Sequence, residues 1–146
     1  MIYGKLNSLA PFATQENWDN SGLLVGDPGV EVKTALVVLD ITAEAVREAR
    51  EIGAELIISH HPVIFHPLKK VESGSVVWEL AQAGISAICA HTNLDKARGG
   101  VNDCLAAALG LEHVTNYAVE GREKHYKLAV FVPVSHAEAV RHAMIG

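Results

Sequence analysis

Residues 34–59 constrain the fold of this chain more than any other stretch. Thr34-Ala35-Leu36-Val37-Val38-Leu39 is a near-continuous apolar run, the pattern of a strand covered on both faces in a parallel sheet. It stops at Asp40. Thr42 stands where a helix cap belongs, and Ala45, Val46, Ala49 and Ile52 then share one helical face until Gly53. A second apolar strand, Glu55 to Ser59, follows at once. Strand, helix and strand with such short joins form a βαβ unit, so the two strands lie parallel.

The pattern repeats. Val76, Val77, Leu80 and Ala81 lie on one helical face that Gly84 ends. Ile85-Ser86-Ala87-Ile88-Cys89-Ala90 is the next strand. Three strands therefore finish in polar residues: Asp40, the pair His60-His61, and the cluster His91-Thr92-Asn93-Leu94-Asp95. Parallel strands bring their carboxyl ends to one sheet edge, where open α/β sheets bind ligands. Pro62 stops regular structure just after the histidine pair. At such a strand end the two imidazoles can splay, and each can serve a different ion of a pair.

Around this centre the remaining elements are simpler. Ile2, Tyr3, Leu6 and Leu9 recur at helical spacing, and Pro11 marks the end of that helix. Residues 16–22 are dense in turn formers, and Leu23-Leu24-Val25 reads as a strand. Gly99-Gly100 opens a helix with Val101, Cys104, Leu105, Ala108 and Leu109 on its apolar face. After a charged connector, residues 120–124, a strand over 126–132 and a helix capped by Ser135 follow. A lone strand and helix leave a sheet edge and a helix face uncovered. The expected class is α/β, with a largely parallel, mixed sheet and helices on both faces. Residues 1–119 read as an N-terminal α/β metal-site domain, and 120–146 as a connector and the start of a second domain. The chain then reads as the first portion of a longer protein.

Composition narrows the functional classes. Hydrophobic residues at 49% and charged residues at 20% argue for a packed core and against disorder. The net charge is −5, and Lys69-Lys70 is the only adjacent basic pair, which argues against a nucleic-acid-binding surface. No apolar run is long enough to span a membrane, and the N-terminus lacks the order of a signal peptide. Cys89 and Cys104 both read as small buried hydrophobes in a reducing compartment, without zinc-motif spacing. A soluble cytoplasmic protein is expected.

Eight histidines are many for 146 residues. Imidazole suits zinc, iron, nickel and copper, and a carboxylate adds charge and can bridge two ions. His60, His61 and Asp95 form a partial ligand set. His91 is either a fourth ligand or a group that orients one, and Asp40 either orients a ligand or joins the following turn. His66, His113, His125, His136 and His142 fall on loops, connectors or the appended unit. Three protein ligands are too few for two ions, so further donors are needed, and the site in this chain is expected to be incomplete and to bind metal weakly, if at all. No Gly-x-Ser-x-Gly elbow, Walker loop or Cys–His pairing in sequence is present, and metal-activated water is the chemistry these residues allow.

Three motifs occur here in the order of one known family. They are Trp18-Asp19-Asn20-Ser21-Gly22-Leu23, then Ser59-His60-His61-Pro62 with Pro67-Leu68-Lys69, and His91-Thr92-Asn93-Leu94-Asp95 with Gly99-Gly100-Val101-Asn102. Together they resemble the GTP cyclohydrolase I type 2 family, also called the NIF-three-like proteins, over essentially the whole chain. The resemblance implies a dinuclear metal centre in an α/β fold, with two divalent ions of zinc, iron, nickel or manganese. It implies His60, His61 and Asp95 as the first metal ligands, the remaining histidine and glutamate lying beyond this sequence. It implies toroidal homohexamers. It implies that residues 127–133 and the next helix begin an inserted domain like the trimeric signalling proteins with a ferredoxin-like sheet. The activity it implies is hydrolysis of a small nucleotide-like or cyclic amide substrate such as GTP. The alternative is a non-enzymatic metal-binding or regulatory oligomer that presents its surface to protein partners.

Overall fold

A computed structural model describes residues 2–115 and 130–145. The chain divides into two compact units, one ending at His113 and the other starting at Val114. The first unit holds α1 (Ile2–Leu9), β1 (Gly22–Val25), β2 (Ala35–Val38), α2 (Ala43–Glu51), β3 (Leu56–Ser59), α3 (Val76–Ala83), β4 (Ser86–Cys89), α4 (Thr92–Lys96) and α5 (Val101–Ala108). Its strands form one sheet in the order β1-β4-β3-β2. β2, β3 and β4 run parallel, and β1 lies antiparallel to β4. The fold is mixed α/β, and the expected βαβ repeats are present.

Local chemistry accounts for the boundaries. The Thr42 hydroxyl accepts a bond of 3.2 Å from the Ala45 amide and caps α2. The Ser75 hydroxyl does the same for α3, accepting from the Trp78 amide at 3.3 Å. Gly84 takes the left-handed conformation, φ 68°, that ends α3 and turns the chain into β4. Alternation along β3 then sorts the core. Ile57 packs with Val46 and Ala49 of α2 and Leu80 of α3 on one face. Leu56 and Ile88 pack with Phe12, and with Ile2 and Leu6 of α1, on the other. Helices thus lie on both faces.

Two sequence expectations fail here. β2 is not covered on both faces: it is the sheet edge, and Val37 is 74% exposed. Leu36 and Val38 pack towards the helices, while Val37 and Leu39 face away from them. Cys104 is exposed rather than buried, and α5 buries no side chain, leaving Leu105 and Leu109 open. Cys89 is buried, as expected. Burial pushes its thiol up to about 12, and the nearby Asp19 charge adds to the rise.

Gly100 is needed for packing. A Cβ there would overlap the Leu94 carbonyl oxygen and lie 2.8 Å from that of Ala97. Both belong to the segment that carries Asp95. Gly100→Ala is expected to cost ~3 kcal/mol through overpacking, read as a lower urea midpoint.

In the second unit, a 3-10 turn at Val134–His136 leads into α6 (Ala137–Ile145). Ser135 lies inside that turn rather than at a cap. The expected domain boundary at 119/120 and most of the expected strand over 126–132 lie outside the described residues; residues 130–132 are described and are not in a strand. Among the described residues no helix is long and apolar enough to cross a membrane.

Candidate metal centre

The carboxyl edge of the sheet gathers the polar strand ends. Backbone bonds to the β2 side continue past β3, because the His60 amide donates to the Val38 carbonyl and the His61 amide to that of Leu39. The two histidines are therefore held in the bend by which the chain leaves the sheet. Their own carbonyls are occupied as well: the Cys89 thiol donates to that of His60 at 3.0 Å, and the Ser59 hydroxyl to that of His61 at 2.8 Å.

β4 delivers His91 beside them. One ring nitrogen from each of His60, His61 and His91 lies within 4.8 Å of the others. The ring centroids are 5.0 Å apart for His60–His61, 5.1 Å for His60–His91 and 5.6 Å for His61–His91. Each Nδ1 faces an oxygen acceptor. For His60 it is the Ala90 carbonyl at 3.0 Å. For His61 it is Asp40 at 2.7 Å, and for His91 it is Asp19 at 2.9 Å. Carbonyls and ionised carboxylates only accept, so the proton sits on Nδ1 in all three rings. Each Nε2 lone pair is then free. That is the arrangement in which metal-bound histidines are found, with the other nitrogen donating to a carboxylate or carbonyl.

Asp95, on α4, brings a carboxylate oxygen to 3.6 Å from His60 Nε2. All three ligands expected from the sequence are therefore in one place, and His91 and Asp40 are with them. His66 stacks edge-on against Phe65 and lies outside the cluster of three.

Sequence reasoning missed Asp19. The sequence marks it only as part of a turn-rich segment and of the Trp18–Leu23 motif, with no role of its own. Because β1 runs antiparallel, its first residue, Gly22, pairs with Cys89, the last residue of β4. The loop that enters β1 thus arrives at the same edge that the other strands leave. The Asp19 side chain is 0% exposed. It accepts from His91 Nδ1, the Asn20 amide at 2.7 Å, the Thr92 amide at 3.1 Å, and the Ser21 and Thr92 hydroxyls. Burial alone would push this carboxyl up. The bonds from Thr92, His91 and Asn20 outweigh it and hold the carboxyl well below the usual range. The available signal was a carboxylate followed by Asn20 and Ser21 just before a strand.

The loop is fastened at other points. Asn20 Nδ2 donates to the Ile64 carbonyl at 2.6 Å, and Lys96 pairs with Glu16. Asn93, fully buried, donates from its amide to the Ala10 carbonyl at 2.8 Å. Loops of distant sequence are thereby locked into one edge.

The donor set suits a divalent cation. Three imidazoles stand beside three carboxylates, Asp19, Asp40 and Asp95. Tetrahedral sharing of one zinc ion would place nitrogens about 3.3 Å apart, and paired ions sit about 3.5–4 Å from each other. Nitrogens spread over at most 4.8 Å fit either case with small side-chain movements.

Residues 1–144 match the family model for Duf34/NIF3 (NGG1p interacting factor 3). A protein of Halalkalibacterium halodurans called GTP cyclohydrolase 1 type 2 homolog is 41% identical over 130 residues, covering 86% of this chain and 35% of that protein. A Staphylococcus aureus protein of the same name is 42% identical over 131 residues, 88% of this chain and 36% of its own length. The crystal structure of a Bacillus cereus protein related to NIF3 superposes with a TM-score of 0.77 at 39% identity, over 98% of this chain and 41% of that one. The chain thus spans about a third of the length of these curated relatives.

Proposed function

We propose, from the premise that this chain belongs to the Duf34/NIF3 family, that the edge cluster holds two divalent ions for hydrolysis of a small substrate. The substrate class is nucleotide-like or a cyclic amide, in keeping with the name GTP cyclohydrolase 1 type 2 homolog borne by the curated relatives. The observation that carries this reading is the matched set of three Nδ1 bonds in rings whose nitrogens come within 4.8 Å of one another, which leaves the Nε2 atoms of His60, His61 and His91 as the nitrogens not bonded to those acceptors.

In this reading His60, His61 and Asp95 hold the ions, and His91 is the fourth donor. Asp19 and Asp40 fix the tautomer and angle of the rings they touch, which raises their basicity as ligands. Bound ions would supply a lowered pKa for water and an electrophile for the substrate. Four donors are few for two ions, and the curated relatives are about two and a half times as long as this chain.

The test is a zinc titration of the chain followed by metal analysis and by NMR of the imidazole nitrogens. Zinc bound in the titration, with the Nε2 resonances of His60, His61 and His91 shifted, is the expected result. No bound metal and unmoved resonances would sink the proposal.

A second reading draws on a different observation. Val37, Leu105 and Leu109 are open apolar side chains among the described residues. They suit an oligomer, by resemblance a ring of six copies, that binds metal and presents surfaces to protein partners without turnover. Zinc-loaded chain that assembles but never opens the purine ring of GTP, followed by ultraviolet absorbance, would favour it.

A further inference from the structure

Trp18 and Phe65 stand beside the histidine cluster and have no part in the reading above. Trp18 is 60% exposed and Phe65 39% exposed, although both flank tightly bonded segments. Their ring centroids are 6.1 Å apart with planes at 55°. The Trp18 ring also meets His91 edge-on at 6.3 Å. Neither ring sits on a loose segment. Trp18 is next to Asp19, whose carboxylate is tied at every lone pair, and Phe65 follows Ile64, whose carbonyl is held by Asn20. Two exposed aromatic rings thus stand on segments fastened by the same bonds that build the candidate metal centre.

Exposed aromatics beside a polar cluster are apolar area that a ligand can cover. The charge around them narrows the ligand. Asp40 and Asp95 stand on the near rim, where their carboxylates offer acceptors to ring N–H and amino groups. We propose that Trp18 and Phe65 form a stacking wall for a neutral, planar heteroaromatic ring bearing N–H donors, one end of which reaches the histidine cluster. This rests on the hydrolytic reading for its orientation and deepens it by naming the part of the substrate that this chain grips. Stacking of a base on an aromatic face is worth about 5- to 100-fold in affinity.

Fluorescence tests it with inosine as the ring and ribose as the control without one. Trp78→Phe leaves Trp18 as the single tryptophan reporter, since the chain has two. In this variant, excited at the red edge of tryptophan absorption, inosine is expected to quench saturably and ribose not at all. Phe65→Ala weakens inosine binding about tenfold in the same assay. Trp18→Ala, followed by equilibrium dialysis, weakens it about 5- to 100-fold, and Trp18→Phe restores it to within about threefold. Equal quenching by ribose, or unchanged inosine binding in Trp18→Ala and Phe65→Ala, would overturn the proposal. Each titration is run with zinc and again after chelation. Zinc held without ring binding defeats the stacking wall alone; ring binding without zinc binding supports the wall and defeats the metal reading alone.

Discussion

Asp19→Ala is expected to destabilise the chain by about 3–5 kcal/mol, read as a lower urea midpoint at unchanged slope. The reason is what it leaves behind. The carboxylate is inaccessible and accepts from two backbone amides, two hydroxyls and an imidazole. Removing it strands those donors at an edge that water reaches poorly, and each unpaired donor costs about 1–3 kcal/mol. Relaxation of the loop recovers part of that sum. Asp19→Asn keeps the volume and one acceptor oxygen, so it should fall between wild type and alanine. Zinc affinity should fall by about 10–100-fold in both variants, because His91 loses the partner that fixes its proton on Nδ1. A wild-type urea midpoint in Asp19→Ala would show that the bonds around it contribute little.

His60→Ala should have the larger effect on metal and a smaller one on stability. Its imidazole is the ring that both other histidines and Asp95 approach: 5.0 Å and 5.1 Å between centroids, and 3.6 Å to the carboxylate. It is part-buried, and its Nδ1 bond goes to a single carbonyl. Loss of a direct donor should exceed the loss of an orienting one, so zinc affinity should drop by more than about a hundredfold. Asp40→Ala makes the internal comparison. It removes only an exposed partner of His61 and should cost about tenfold with almost no change in stability. Competition titration with a chromophoric chelator ranks the three. An order with Asp40→Ala weakest would contradict the roles given to these residues.

How much of this could be read from residues alone differs by kind of signal. The βαβ units were legible because apolar runs, the Thr42 cap and the Gly84 turn agree with one another. The mixed sheet with helices on both faces followed. A run such as residues 34–39 does not reveal whether its strand is central or at an edge, and β2 proved to be the edge. The apolar face of α5 misled in the same way, because periodicity says which side is apolar but not what covers it. α4 went unseen as a helix, since five residues are too few to show a period. The meeting of His60, His61, His91, Asp40 and Asp95 was legible from parallel strand ends. Asp19 was not, because strand direction for a four-residue segment leaves no trace in composition.

The irregular pairing of β1 has a use beyond the sheet. Gly22 faces Cys89 and Leu23 faces Ile88, but Val25 then faces Ala87, so the extra residue lies downstream of the two pairs nearest the histidines. A strand slips by whole residues, about 3.4 Å at a time, which would carry Asp19 clear of its ring partner. Placing the slack on the far side lets length changes beyond Val25 be taken up there. The bulge therefore acts as a mechanical fuse: distortions entering from the turn after β1 stop short of the end that must stay in register.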